Sequence, residues 1–148
     1  MTDIPHADIR GDAPDAYRAL AALTRGAPDI DHGLAALVKV RVSQINGCAY
    51  CIDLQAGRAA KAGVSERKLH SVIAWREAPF YSAEERAALR LAEELTLLPA
   101  GPPSGDAFIE AADRFPGALL AQLVVVITGI NAWNRVMIAA GATPPEER

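Results

Sequence analysis

Apolar positions recur at three- and four-residue spacing along nearly the whole chain, the pattern of amphipathic helices rather than strands. Tyr17, Leu20, Ala21 and Leu23 share one side of a helix from Pro14 to about Thr24, which Arg25, Gly26, Ala27 and Pro28 stop. Asp31 is placed to N-cap a second helix carrying Leu34, Leu37, Val38, Arg41, Val42 and Ile45, and Asn46 and Gly47 break it. A third opens at or just before Cys48 and runs to Gly63, a candidate for the left-handed position after a helix. Ser65 caps a short helix ending near Ala74, and Ser82 with Glu85 forms a capping box ahead of Ala88, Leu91, Ala92, Leu95 and Leu98. The Pro- and Gly-rich run from Pro99 to Gly105 predicts a surface loop, and Asp106 to Arg114 a short helix. Pro116 suits the first turn of a long final helix reaching about Ala140. Because no stretch alternates polar and apolar residues between hairpin signals, the fold class is all-α: one domain over 1–148, with 1–13 and 143–148 expected to be flexible.

Composition narrows the partners. With 51% apolar but only 5% aromatic residues, 148 residues can build an aliphatic core without a metal or a disulfide framework. Eighteen acidic against 15 basic side chains, a net charge of −3 and no basic block argue against a nucleic-acid partner. The N-terminal stretch has no basic-then-apolar run ahead of a cleavage site, so the expected location is cytoplasmic. The longest aliphatic stretch, Leu119 to Ile127, falls well short of the roughly 20 residues a span needs, so no membrane partner is expected. Apolar surface from Leu119 through Ile130 on an Ala-rich chain predicts a homo-oligomer.

The two cysteines, Cys48 and Cys51, are separated only by Ala49 and Tyr50. On a helix this spacing puts them on adjacent turns, within reach of a disulfide, and a start near Cys48 gives them unsatisfied amides and the positive dipole end, which favour thiolate. Redox use of the pair competes with a plainer reading, two small buried hydrophobes. A zinc site lacks ligands: there is no second cysteine pair, and His6, His32 and His70 stand at spacings that make no recognised set. No metal or other cofactor is expected.

Three blocks add specificity: the run from Arg41 to Gln55 around the cysteines, Trp75 to Tyr81, and Ile130 to Arg135. Together they strongly resemble the alkylhydroperoxidase D-like, carboxymuconolactone decarboxylase family over roughly residues 30–140, the family core. The resemblance implies an AhpD-like multi-helix domain that assembles as a dimer, trimer or hexamer. It also implies that Cys51 is the peroxidatic cysteine and Cys48 the resolving one, with an organic hydroperoxide as oxidant and a dithiol protein or small thiol as reductant. The family's proton relay is a Glu twelve residues before the first cysteine and a His four after the second; here those positions hold Ala36 and Gln55, and Tyr50 replaces a further His of the best-known subgroup.

Ala cannot move a proton, and Gln can orient a group but is no general base near neutral pH. Gln55 shares the helix side of Cys51 and is a candidate to contact a thiolate or peroxide. Tyr50 and Glu93 are further candidates for polar support, Tyr50 against a packing role and Glu93 as one of an adjacent pair with Glu94, of which at least one should face solvent. Asp53, His32 and His70 read as surface residues, Asn131 and Asn134 as a buried hydrogen-bond network, and the Trp75 to Tyr81 aromatics as packing. Three functions stand: a thiol-dependent peroxidase or disulfide oxidoreductase using the C-x-x-C pair, weakly active without the relay; a γ-carboxymuconolactone decarboxylase-like enzyme, disfavoured because both proton-transfer residues are lost and no basic cluster is evident; and a non-enzymatic redox-sensing or structural oligomer.

Overall fold

Side-chain caps set most of the helix starts. The computed structural model describes residues 5–146. Its helices are α1 (Ile9–Asp12), α2 (Pro14–Leu23), α3 (His32–Asn46), α4 (Ala49–Lys61), α5 (Glu66–Ser71), α6 (Ala83–Thr96), α7 (Gly105–Arg114) and α8 (Ala118–Ala139). Single 3-10 turns follow α5 at Val72–Ala74 and α6 at Leu98–Ala100, and no strand occurs among the described residues. Asp31 accepts from Leu34 N at 2.9 Å to open α3, and Ser65 and Ser104 cap α5 and α7 in the same way. Ser82 and Glu85 make the reciprocal capping box expected from their spacing.

The central element is α3, which packs against α4, α6 and α8. Leu37, Val38 and Val42 on α3, Leu89 and Leu91 on α6 and Leu123 on α8 are fully buried. Each such side chain contributes about 1.5–3 kcal/mol relative to exposure, so this interlock is the main source of stability. Ala87, Ala88 and Ala92 on α6 are also fully buried, which lets the helix backbones approach closely.

The structure departs from the sequence reading in three places. Pro116 lies outside α8, because Gly117 takes φ +62 at the N-cap and the helix begins only at Ala118. A side chain at that φ would be strained, so the glycine, not the proline, sets the start. Residues 9–12, where the sequence pattern gave no helix, form a capped turn, and Ala7 N donates to Ala139 O at 3.0 Å; of the segments expected to be flexible, 1–4 and 147–148 lie outside the described residues. Finally, α8 spans 22 residues and by length and composition is apolar enough to cross a bilayer, contrary to the short run read from the sequence. Its buried Ile127, Gly129, Ile130 and Asn134 and its packing on α3 place it as a core helix of the bundle.

Candidate active site

The position of the two sulfurs begins with Gly47. It adopts φ +70 at the end of α3, and Cys48 N then donates back to Ser43 O at 3.0 Å. That left-handed turn is open to glycine at little cost and reverses the chain, so α4 starts directly against α3. Cys48 becomes the N-cap of α4: its Sγ accepts weakly from Cys51 N at 3.4 Å, where Ser or Asp would normally place an oxygen. Cys51 occupies the first turn, and the two Sγ atoms lie 2.7 Å apart as free thiols. Rearrangement to the roughly 2.05 Å of a disulfide needs only a small movement.

Both cysteines are buried, Cys48 at 2% and Cys51 at 3% exposure. They differ in what lies beyond them. Cys51 lines a cavity of about 450 Å³ enclosed by α2, α3, α4 and α8, whereas Cys48 does not reach its wall. Tyr17 of α2 stacks edge-on against Trp133 of α8, with ring centroids 5.0 Å apart, to form one side. Leu54, Ile130 and Met137 extend the apolar wall, while Arg25, Lys39 and Arg58 bring three cations to the same space. The expectation that the site lacks a basic cluster is therefore corrected: residues far apart in sequence converge through helix packing. A larger open cleft of about 560 Å³ lies elsewhere, and its Lys68 is already paired with Glu85 at 2.7 Å.

The electrostatics also reverse an expectation. Burial pushes the Cys51 thiol up to about 12 from its usual 9.0, and the hydrogen bond with Cys48 adds to this, while a side-chain hydrogen bond with Asn134 pulls the other way. The dipole and amides of a helix start favour thiolate, but loss of water around a charged sulfur costs more here. Burial likewise depresses the Lys39 ammonium, and repulsion from Arg58 adds to it.

Gln55 is buried at 6% exposure and lines the cavity one turn after Cys51; its Oε1 has no hydrogen-bond partner among the described residues. Tyr50 also lines the cavity and is half-buried. Ala36 is buried in α3, and Lys39, one turn later, reaches the cavity. Glu93 is held elsewhere: Arg41 Nε donates to it at 2.6 Å, Trp75 Nε1 at 3.0 Å, and Arg76 forms a further close pair. Burial alone would raise the Glu93 carboxyl, but these donors hold it below the usual range. It does not line the Cys51 cavity.

Behind the thiols, Asn46 Nδ2 donates to Asn131 Oδ1 and Asn134 Oδ1, both at 2.9 Å; Asn134 donates to Ser43 Oγ, and Asn131 to Thr96 Oγ1. This network ties α3, α6 and α8 together, as the paired asparagines on an apolar helix suggested. His32 and His70 are exposed. Among the described residues no cluster of His, Cys, Asp and Glu could hold a metal ion. The sequence reading passed over Arg25, Lys39 and Arg58; the available signal was the three-residue step from Ala36 to Lys39 along one face of α3.

Comparison with known proteins bears directly on this arrangement. The carboxymuconolactone decarboxylase family model matches residues 12–94. The chain belongs to that family. Its relatives include Bacillus subtilis YdfG, 42% identical over 105 residues that make up 71% of each protein, and Escherichia coli YnjA, 33% identical over 71% of this chain and 57% of the relative. Among solved structures, a protein of unknown function from Agrobacterium tumefaciens, provisionally named as the antioxidant defence protein AhpD, superposes with a TM-score of 0.90 at 29% identity, covering 97% of this chain and all of the other. The debrominase Bmp8, without ligand and as a variant holding 2,3,4-tribromopyrrole, shares the fold at TM-scores of 0.80 and 0.79 and identities of 23% and 22%, over 92% of this chain and 74% of the other. The all-helical AhpD-like fold expected from the three sequence blocks is thus the fold of this family member.

Proposed function

We propose that the protein is a thiol-dependent peroxidase and disulfide oxidoreductase in which Cys51 reduces an organic hydroperoxide and Cys48 resolves the product. The observation that carries this reading is the asymmetry of the pair: the sulfurs stand 2.7 Å apart, yet only Cys51 lines the cavity. Family membership and the likeness to the Agrobacterium protein support it.

The Cys51 thiolate attacks the terminal peroxide oxygen; an S–O bond forms, the O–O bond breaks, and the alkoxide takes up a proton to leave as an alcohol. Sulfur loses two electrons and the peroxide gains them, giving a Cys51 sulfenic acid. Cys48 then attacks Cys51 Sγ, forming the disulfide as the sulfenic oxygen leaves with the Cys48 proton as water. An external dithiol, a protein or a small thiol, returns both cysteines to the reduced state by exchange. Deprotonation of Cys51 is the weak step, since burial and the hydrogen bond with Cys48 oppose the charge.

Peroxide consumption with a dithiol reductant tests the proposal: Cys51→Ser removes turnover, and Cys48→Ser leaves a sulfenic acid at Cys51 that a dimedone-type probe labels. Turnover retained in Cys51→Ser overturns it. A stable disulfide with no turnover in the wild type points instead to a redox-sensing oligomer. The lactone decarboxylase reading gains the anion-attracting cations that the sequence had hidden, but among the described residues neither an imidazole nor a carboxylate lines the cavity to move a proton. A direct decarboxylation assay decides it.

The same proposal places the protein as a homo-oligomer in the cytoplasm, where thiols stay reduced. The exposed Ile73, Ile109 and Ile138 favour self-association, and a monomer by light scattering at micromolar concentration overturns that part.

A further inference from the structure

Two features of the Cys51 cavity have no partner among the described residues. Lys39 comes from α3 and Arg58 from α4; the charged group acting on Lys39 is Arg58, a repulsive one, and among the described residues no carboxylate lines the space they share. Bringing two cations to one partly desolvated wall costs free energy that an anion would offset. The second feature is Gln55 Oε1, an acceptor on a side chain only 6% exposed, one turn from Cys51 and without a hydrogen-bond donor. Buried acceptors in native proteins are nearly always satisfied, so this one calls for a donor from a bound molecule. The same cavity has an apolar lining of Leu54, Ile130, Trp133 and Met137.

We propose that the cavity selects organic hydroperoxides that carry a carboxylate: the carboxylate sits against Lys39 and Arg58, the apolar body lies along Trp133, Ile130 and Met137, and the peroxide O–H donates to Gln55 Oε1 beside Cys51. This rests on the peroxidase reading and names its substrate class. A volume of about 450 Å³ suits a compact aryl or branched alkyl body. In the reaction the carboxylate is unchanged; the terminal oxygen passes to Cys51 Sγ as the O–O bond breaks, and the product is the hydroxycarboxylate. Lys39 and Arg58 are specificity-determining residues, and Gln55 orients the peroxide.

The test uses a matched pair of oxidants, cumene hydroperoxide and its para-carboxylate, with a matched pair of inert probes, 4-isopropylbenzoate and 4-isopropylbenzamide. The wild type is expected to show a kcat/KM about tenfold or more higher for the carboxylate peroxide, the scale of one charge-assisted contact. Lys39→Gln should bring that ratio close to unity. Calorimetry on the dithiol protein should show benzoate binding more tightly than benzamide and the difference shrinking in Lys39→Gln. Arg58→Gln, at an exposed position where folding is not at risk, should lower both preferences in the same direction. Gln55→Leu should raise KM for both peroxides while benzoate affinity holds. Turnover of both peroxides at equal efficiency, with equal binding of the two probes, overturns the anion site and leaves the peroxidase reading standing. Selective benzoate binding with turnover of neither peroxide overturns the peroxidase reading and retains the anion site.

Discussion

Two buried polar clusters sit on opposite sides of α3, and they are built on opposite principles. At Glu93, one carboxylate receives donors from Arg41, Trp75 and Arg76, so charge and hydrogen bonding are both satisfied within the chain. At Cys51, one thiol of the pair shares a wall with cations that repel each other and with an acceptor that has no donor among the described residues. The first arrangement holds helices together. The second is incomplete by itself, which is the condition of a site that waits for a reactant.

Replacing Cys51 with Ser tests the incomplete cluster with the largest expected effect, loss of dithiol-driven peroxide turnover to background, measured by peroxide consumption. Next in size is reactivity. With its thiol pushed up to about 12, Cys51 in the reduced protein should alkylate with iodoacetamide on the order of 10³-fold more slowly at pH 8 than a free thiol. Because the folded value lies above the unfolded one, the neutral thiol's contribution to stability is full below the ordinary thiol range and is lost progressively as pH rises from 9.0 to about 12. Alkylation and turnover should accordingly climb about tenfold per pH unit from neutrality through pH 10; a plateau near pH 8 would show that the thiol is activated instead.

The satisfied cluster should respond in stability rather than chemistry. Glu93→Gln is expected to destabilise the fold by about 3 kcal/mol in urea unfolding, since it leaves the largely buried Arg41 guanidinium without its anion, and to leave Cys51 alkylation unchanged. The Glu93 carboxyl is held low, so its contribution is present above the unfolded value near 4.3 and fades as pH falls below that. The smallest effect sharpens the contrast most. Gln55→Leu removes an acceptor that has no hydrogen-bond partner among the described residues, so stability should change by less than about 1 kcal/mol despite 6% exposure. A loss comparable to that of Glu93→Gln would mean that the two clusters are alike.

Much of the scaffold was legible because it is local. Asp31, Ser65 and the Ser82 to Glu85 box cap their helices where their spacing said, and Gly47 turns the chain so that Cys48 opens α4. Asn131 and Asn134 stood out as amides on an apolar helix, and they do form a network. Glu93 was set beside the cysteines as a candidate because sequence shows which face of α6 is apolar but not which neighbour that face meets. Arg25, Lys39 and Arg58 carry no motif; each reads as one more surface charge until α2, α3 and α4 are packed.

By itself the sequence determined most of the helices, the capped starts among their ends, the family and the adjacency of the two sulfurs, largely consequences of hydrogen bonds and caps within a few residues of one another. The tertiary structure alone decided the sign of the Cys51 shift and the charge of the space in front of it. Solvation depends on which distant side chains exclude water from the sulfur, and a local dipole cannot outweigh that exclusion.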